Sequence, residues 1–181
     1  MSDLESRADI DRLLRRFYGK ALVDEVIGWL FTDVAHLDVE QHLPQIGNFW
    51  EQVLFQRPVY VGQPIAVHVP LHEAATLQPQ HFQRWFSIWA ETIDELFAGE
   101  MATQAKRRAA IIAETMQYRL GVASDEARFS PAYREALQMK NDERRTPNAE
   151  QHQAFLSSCI AVFLVLLQKA EGRPRFRERR P

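Results

Sequence analysis

The chain has 181 residues, 46% of them apolar and 25% charged, with a formal net charge of −2. That length and composition suit one domain with a sizeable core, and the near-zero charge excludes a global pull toward nucleic acid or an acidic membrane. The single cysteine, Cys159, excludes an internal disulfide. Residues 1–9 are polar and acidic, without the basic and apolar regions of a signal peptide, so a cytoplasmic location is the expectation. No apolar run reaches the roughly 18 to 20 residues that span a bilayer.

Strand signals are nearly absent and helical periodicity recurs, which predicts an all-α protein. From Asp9 onward, Ile10, Leu13, Leu14, Phe17 and Ala21 mark one face of a first helix. Gly28 precedes a short apolar stretch, Trp29-Leu30-Phe31, that closes this segment. Asp38 is placed to cap a second helix carrying Ile46, Phe49, Trp50, Val53 and Leu54 on one face, and Pro44 makes its start late or kinked. Residues 56–78 hold Pro58, Gly62, Pro64 and Pro70 and read as a loop with one or two helical turns. A helix begun at Pro64 would be stopped by Pro70, so His68 is expected to close a helix of little more than one turn.

A long helix is expected from Pro79 to about residue 98, with Gly99 as its stop. Phe82, Trp85, Phe86, Trp89, Ile93 and Leu96 form its buried stripe, and Trp50, Phe86 and Trp89 read as ordinary core. The next helix covers about residues 100–120 and ends at Gly121, with Met101, Ala105, Ile112, Met116 and Leu120 inside. Beyond it, Ser130-Pro131 and Thr146-Pro147 each look like an N-cap and first turn. The first opens a charged helix to about residue 144. The second opens a helix containing an almost wholly apolar run, residues 154–167. Residues 173–180 carry five arginines and one glutamate and read as a disordered tail.

The residues Phe17-Tyr18, Phe31, and His42-Leu43-Pro44-Gln45-Ile46-Gly47-Asn48-Phe49-Trp50 resemble the truncated haemoglobins. Tyr60-Val61-Gly62-Gln63-Pro64, then His68, then His81-Phe82-Gln83-Arg84-Trp85 narrow the resemblance to group III. The match runs over about two thirds of the chain, roughly residues 9–120. The other truncated groups carry paired glycines beside their helices. This sequence has no Gly-Gly, in keeping with group III. The resemblance implies a two-over-two globin-like helical sandwich around haem b, iron protoporphyrin, with a C-terminal helical extension that the family does not require. The implied division is a globin domain over 1–122, an extension over 123–170 and a basic tail over 171–181.

Carried over by that resemblance, His68 is the proximal iron ligand. Its second ring N–H would donate to a backbone carbonyl and fix the tautomer. His72, four residues on, is its near rival and is expected to be exposed. Tyr18 matches the distal tyrosine, whose O–H stabilises a ligand that has drawn negative charge from the iron. Trp85 matches a distal tryptophan whose indole N–H can only donate. His42 matches a distal-side histidine that gates access or ligates ferric iron. Phe31 and Phe49 match aromatic walls of the cavity. Tyr60, Arg57 and Arg84 are available to the propionates, and the sequence does not choose among them.

Three functions stay open at this point. One is binding of oxygen, nitric oxide or carbon monoxide at a five-coordinate iron, for scavenging or storage. Another is haem redox catalysis, namely nitric oxide dioxygenation or peroxidase-type chemistry with an unidentified reductase. The third is a helical adaptor without haem. The run at 154–167 is too short to span a bilayer and too apolar to stay in water. It is expected to dock within the chain and contribute to a homodimer.

Overall fold

The computed structural model describes residues 1–60, 68–122 and residue 134. Helices α1 (Arg7–Ala21), α2 (Val39–Phe55), α3 (His68–Ala75), α4 (Pro79–Leu96) and α5 (Glu100–Arg119) follow one another, with a π-helical turn over Leu30–Val34 between α1 and α2. No strand occurs among the described residues. Residue 134 apart, the expected helices at 130–144 and 147–170 and the basic tail lie outside them.

Four of the helix starts have a chemical cause. Ser6 caps α1: its hydroxyl accepts from the Asp9 amide at 3.2 Å, and the Asp9 carboxylate accepts in return from the Ser6 amide at 3.1 Å. Asp38 caps α2 as expected, accepting from the Gln41 amide at 3.2 Å. The helix begins there, at Val39, so Pro44 does not delay it. At the start of α4, Pro79 takes the first position and the ring Nδ1 of His81 accepts from the Gln78 amide at 3.2 Å.

α5 is capped from a distance. The Asp3 carboxylate accepts from the amides of Met101 and Ala102 at 2.9 and 2.8 Å. Desolvation works to raise the Asp3 pKa, but these backbone donors outweigh it and hold the carboxyl below its ordinary value. Gly99, at φ 147°, leaves no room for a Cβ beside Asp3.

The helices pack as two pairs, α1 with α2 and α4 with α5, and the pairs meet through α1 on α4 and α2 on α5. This is a two-over-two sandwich. Its core takes the predicted stripes: Ile10, Leu13, Leu14, Phe17 and Ala21 from α1, Ile46, Phe49 and Trp50 from α2, and Phe82, Phe86, Trp89 and Ile93 from α4 are all buried. Each buried Leu, Ile or Phe contributes about 1.5 to 3 kcal/mol. Trp50 and Trp89 stack at 4.3 Å and 17°, so the read of both as core holds. α3 packs on the Leu30–Val34 turn.

The proximal helix differs from expectation. Among the described residues α3 runs on from His68 through Ala75 rather than closing at His68, and Pro70 lies within it. The helix packs on the Leu30–Val34 turn, and such tertiary packing outweighs the local signal of a proline. Pro70 therefore belongs to the helix it was expected to stop.

Candidate functional site

Tyr18 comes from the last turn of α1, His42 from the first turns of α2, and Phe31 from the π-helical turn between them. The wider Leu30–Val34 turn makes its closing bond from the Ala35 amide to the Leu30 carbonyl, at 3.0 Å. It leaves Phe31 pointing inward, 2% exposed. The Tyr18 ring lies edge-on to Phe31 at 6.1 Å and to the His42 ring at 5.7 Å.

At the centre of this group the Tyr18 hydroxyl is 3.0 Å from Nε2 of His42. Both side chains are buried, at 4% and 3% exposure. Burial pushes the Tyr18 phenol above its ordinary pKa and pulls His42 down to about 4. Both groups are neutral at pH 7. One hydrogen therefore lies between them, and either group can supply it. The other ring nitrogen of His42, Nδ1, is buried and has no partner among the described residues.

Trp85 joins through Phe17, which touches Tyr18 at 5.2 Å and Trp85 at 6.1 Å, both edge-on. Trp85 then stacks on Trp89 at 6.0 Å and 10°. Phe49 on α2 is fully buried, edge-on to Trp50 at 5.6 Å and to Tyr60 at 5.7 Å. Tyr18, Phe31 and His42 thus form one contact set, with Trp85 one ring further out through Phe17 and Phe49 more remote, linked through Trp50, Trp89 and Phe17. The His68 side chain and residues 61–67 lie outside the described residues. His72, one turn on in α3, is half-buried rather than exposed, and its Nδ1 has no partner among the described residues.

Two of the three propionate candidates already hold carboxylates. Arg84 Nε donates to Asp24 at 2.8 Å, and Arg57 donates to Glu51 at 3.0 Å. Burial raises the pKa of the third, Tyr60. One support escaped the sequence reading. The Arg7 guanidinium lies over α2, donating to Asn48 at 2.6 Å, Glu51 at 3.0 Å and the Pro44 carbonyl at 3.1 Å. It occupies the space that a Cβ on Gly47 would need. The segment Pro44 to Asn48 therefore locks α2, and with it His42, against α1.

No family model matches the chain. A curated relative, the group 3 truncated hemoglobin ctb of Campylobacter jejuni, is 28% identical over 122 residues, covering 64% of this chain and 94% of that protein. The crystal structure of a group III truncated hemoglobin from Campylobacter jejuni superposes with a TM-score of 0.58 at 24% identity, over 68% of this chain and 97% of that one. Among the described residues no helix is long and apolar enough to cross a membrane. The chain has the all-α fold of a truncated globin, and it resembles the group III truncated haemoglobins in sequence as well as in fold.

Proposed function

We propose that the chain is a haem globin that holds iron through His68 and binds oxygen, nitric oxide or carbon monoxide on the face lined by Tyr18 and His42. The observation that carries this reading is the buried Tyr18–His42 pair with unmet hydrogen-bonding capacity, set among aromatic rings. A core built only for stability gains nothing from it, since a buried polar atom without a partner costs about 1 to 3 kcal/mol. Haem b is the cofactor in this reading: Phe31 and Phe49 would supply apolar surface to a flat macrocycle, and the pair would supply polar atoms to whatever the iron holds. When bound, haem supplies the iron at which a diatomic ligand attaches.

The pair's hydrogen has a preferred place. If Tyr18 donates to Nε2, the proton of His42 sits on Nδ1 and becomes a buried donor without an acceptor. If His42 donates from Nε2, only a lone pair on Nδ1 is left unmet. Orphaned donors are the rarer case in folded proteins. The second arrangement also leaves the Tyr18 O–H free to donate to a partly anionic ligand. Trp85 is the second donor in this reading, and His42 orients Tyr18 while leaving the iron five-coordinate. Strong retention by two donors suits scavenging or storage better than delivery. The globin unit is residues 1–122, with 123–170 an extension and 171–181 a tail.

Titration of the purified chain with haem tests the reading. The expected result is a Soret band that saturates at one equivalent and shifts under carbon monoxide. A chain that gives only the spectrum of free haem is not a globin in function.

A further inference from the structure

We propose that Trp85, Trp89, Trp50 and Tyr60 form a route along which a one-electron hole leaves the pocket beside Tyr18 and reaches the surface. The route is a property of the rings alone. Its use, to draw oxidising equivalents away from the iron, rests on the haem reading. Trp85 and Trp89, one turn apart on α4, lie nearly parallel at 6.0 Å and 10°. Trp89 stacks on Trp50 of α2 at 4.3 Å and 17°. Phe49 joins Trp50 to Tyr60 by edge contacts of 5.6 and 5.7 Å. All three indoles are buried, whereas Tyr60 is half-buried. Three of the chain's four tryptophans thus make one stack. It starts at the ring that meets Phe17, next to Tyr18, and runs toward a partly exposed tyrosine.

Among aromatic side chains, indole and phenol give up an electron most readily, so Phe49 is a bridge and the other four rings are stations. A hole on an indole is trapped once Nε1 loses its proton. Trp89 and Trp50 have no base placed to take it. Trp89 Nε1 donates to the Ala105 carbonyl at 3.3 Å, and Trp50 Nε1 is buried with no partner among the described residues. That unmet donor costs stability that a purely packed core would avoid, and a redox role accounts for it. The hole therefore stays mobile until Tyr60. There an electron passes inward to refill the indole, and the phenolic proton leaves to water, giving a neutral tyrosyl radical. Tyr18 does not compete. It is sealed from water, and its partner His42 already holds a proton on Nε2 in the arrangement argued above. The oxidant in use is hydrogen peroxide, which takes two electrons and two protons to give two waters. Two small phenols or thiols at the surface each return one electron and one proton to Tyr60, which closes the balance.

The full chain carrying Trp29→Phe, in which the stack holds the only tryptophans, gives a test without haem. An intense ultraviolet flash ejects an electron from an indole, and a cobalt(III) ammine takes it up. The absorption of oxidised indole should then decay as that of the tyrosyl radical grows, at one first-order rate that tenfold dilution does not change. Adding Tyr60→Phe should abolish the tyrosyl growth and slow the indole decay at least tenfold. Adding Trp50→Phe instead should slow the growth at least tenfold, with far-ultraviolet circular dichroism as the check on its fold. If that variant unfolds, the Tyr60→Phe comparison decides. Tyrosyl growth that survives Tyr60→Phe, slows on dilution or never appears overturns the route, and so does a folded Trp50→Phe chain with the unaltered rate. Each of these results leaves the Soret titration untouched. In the haem-loaded chain, hydrogen peroxide should give a tyrosyl signal in electron spin resonance that Tyr60→Phe removes. A signal indifferent to that change overturns the use, and a chain with no Soret band overturns it together with the haem reading.

Discussion

The Tyr18 hydroxyl and the Nε2 of His42 lie 3.0 Å apart inside the sandwich, one from α1 and one from α2, and neither group is charged at neutral pH. On the proposed reading, this bond orients the Tyr18 hydroxyl that a bound ligand would meet. Replacing Tyr18 with Phe removes it while keeping the ring packing against Phe17 and Phe31. Oxygen should leave the Tyr18→Phe variant about ten- to a hundredfold faster, the equivalent of roughly 1.5 to 3 kcal/mol for a charge-assisted bond. Carbon monoxide, with little charge on its outer atom, should change less. Stopped-flow release rates decide the matter, and an oxygen rate within a factor of two of wild type removes Tyr18 from the site.

The same pair makes stability depend on pH. The His42 pKa of about 4 lies below its ordinary 6.5, because burial penalises the imidazolium. As pH falls, the unfolded chain takes up this proton first, so the folded state loses ground from about 6.5 downward and the loss levels off below about 4. Between pH 7 and pH 5 the loss should be about 2 kcal/mol. Carboxylates held low, such as Asp3 and Glu51, act only at lower pH. Burial lowers His81 as well, so it supplies a remainder. Urea unfolding should show the slope in wild type and a clearly flatter one in His42→Gln. Equal slopes in the two proteins would mean that His42 is not buried in neutral form.

Gly47 and Arg7 are coupled by space rather than by a bond. In the wild type, Gly47→Ala should destabilise by about 1 to 2 kcal/mol, because its Cβ displaces the guanidinium from Asn48, Glu51 and Pro44. In an Arg7→Met background the sign should reverse. There the alanine should stabilise by up to about 1 kcal/mol through helix propensity alone. A double-mutant cycle on chemical denaturation measures this. The same sign in both backgrounds would show that Arg7 does not set the requirement for glycine.

Most of the helical frame was legible because its signal is local. The stripe from Ile10 to Ala21, the Asp38 cap and the stops at Gly99 and Gly121 each depend on a few neighbouring residues. Contacts made across the chain carry no such pattern. Asp3 caps α5 from 98 residues away, and nothing in an acidic N-terminal stretch announces that. The Arg7 lock is of the same kind. At His42 the sequence left open a solvated helix start, and burial against Tyr18 removes that alternative. Pro70 is a local stop signal, yet α3 continues past it to Ala75, because packing on the Leu30–Val34 turn is not visible in the local pattern. The half-burial of His72 follows from that correction, since α3 continues through it.

The central claim is that this chain holds haem through His68, and the most direct measurement is the absorption spectrum of the reduced protein under carbon monoxide, in three forms. Wild type and His72→Ala should both give the sharp band of a histidine-ligated carbonyl haem, whereas His68→Ala should lose haem on gel filtration and regain the band only with added imidazole. A His68→Ala protein that keeps haem and the wild-type spectrum without imidazole would contradict the account.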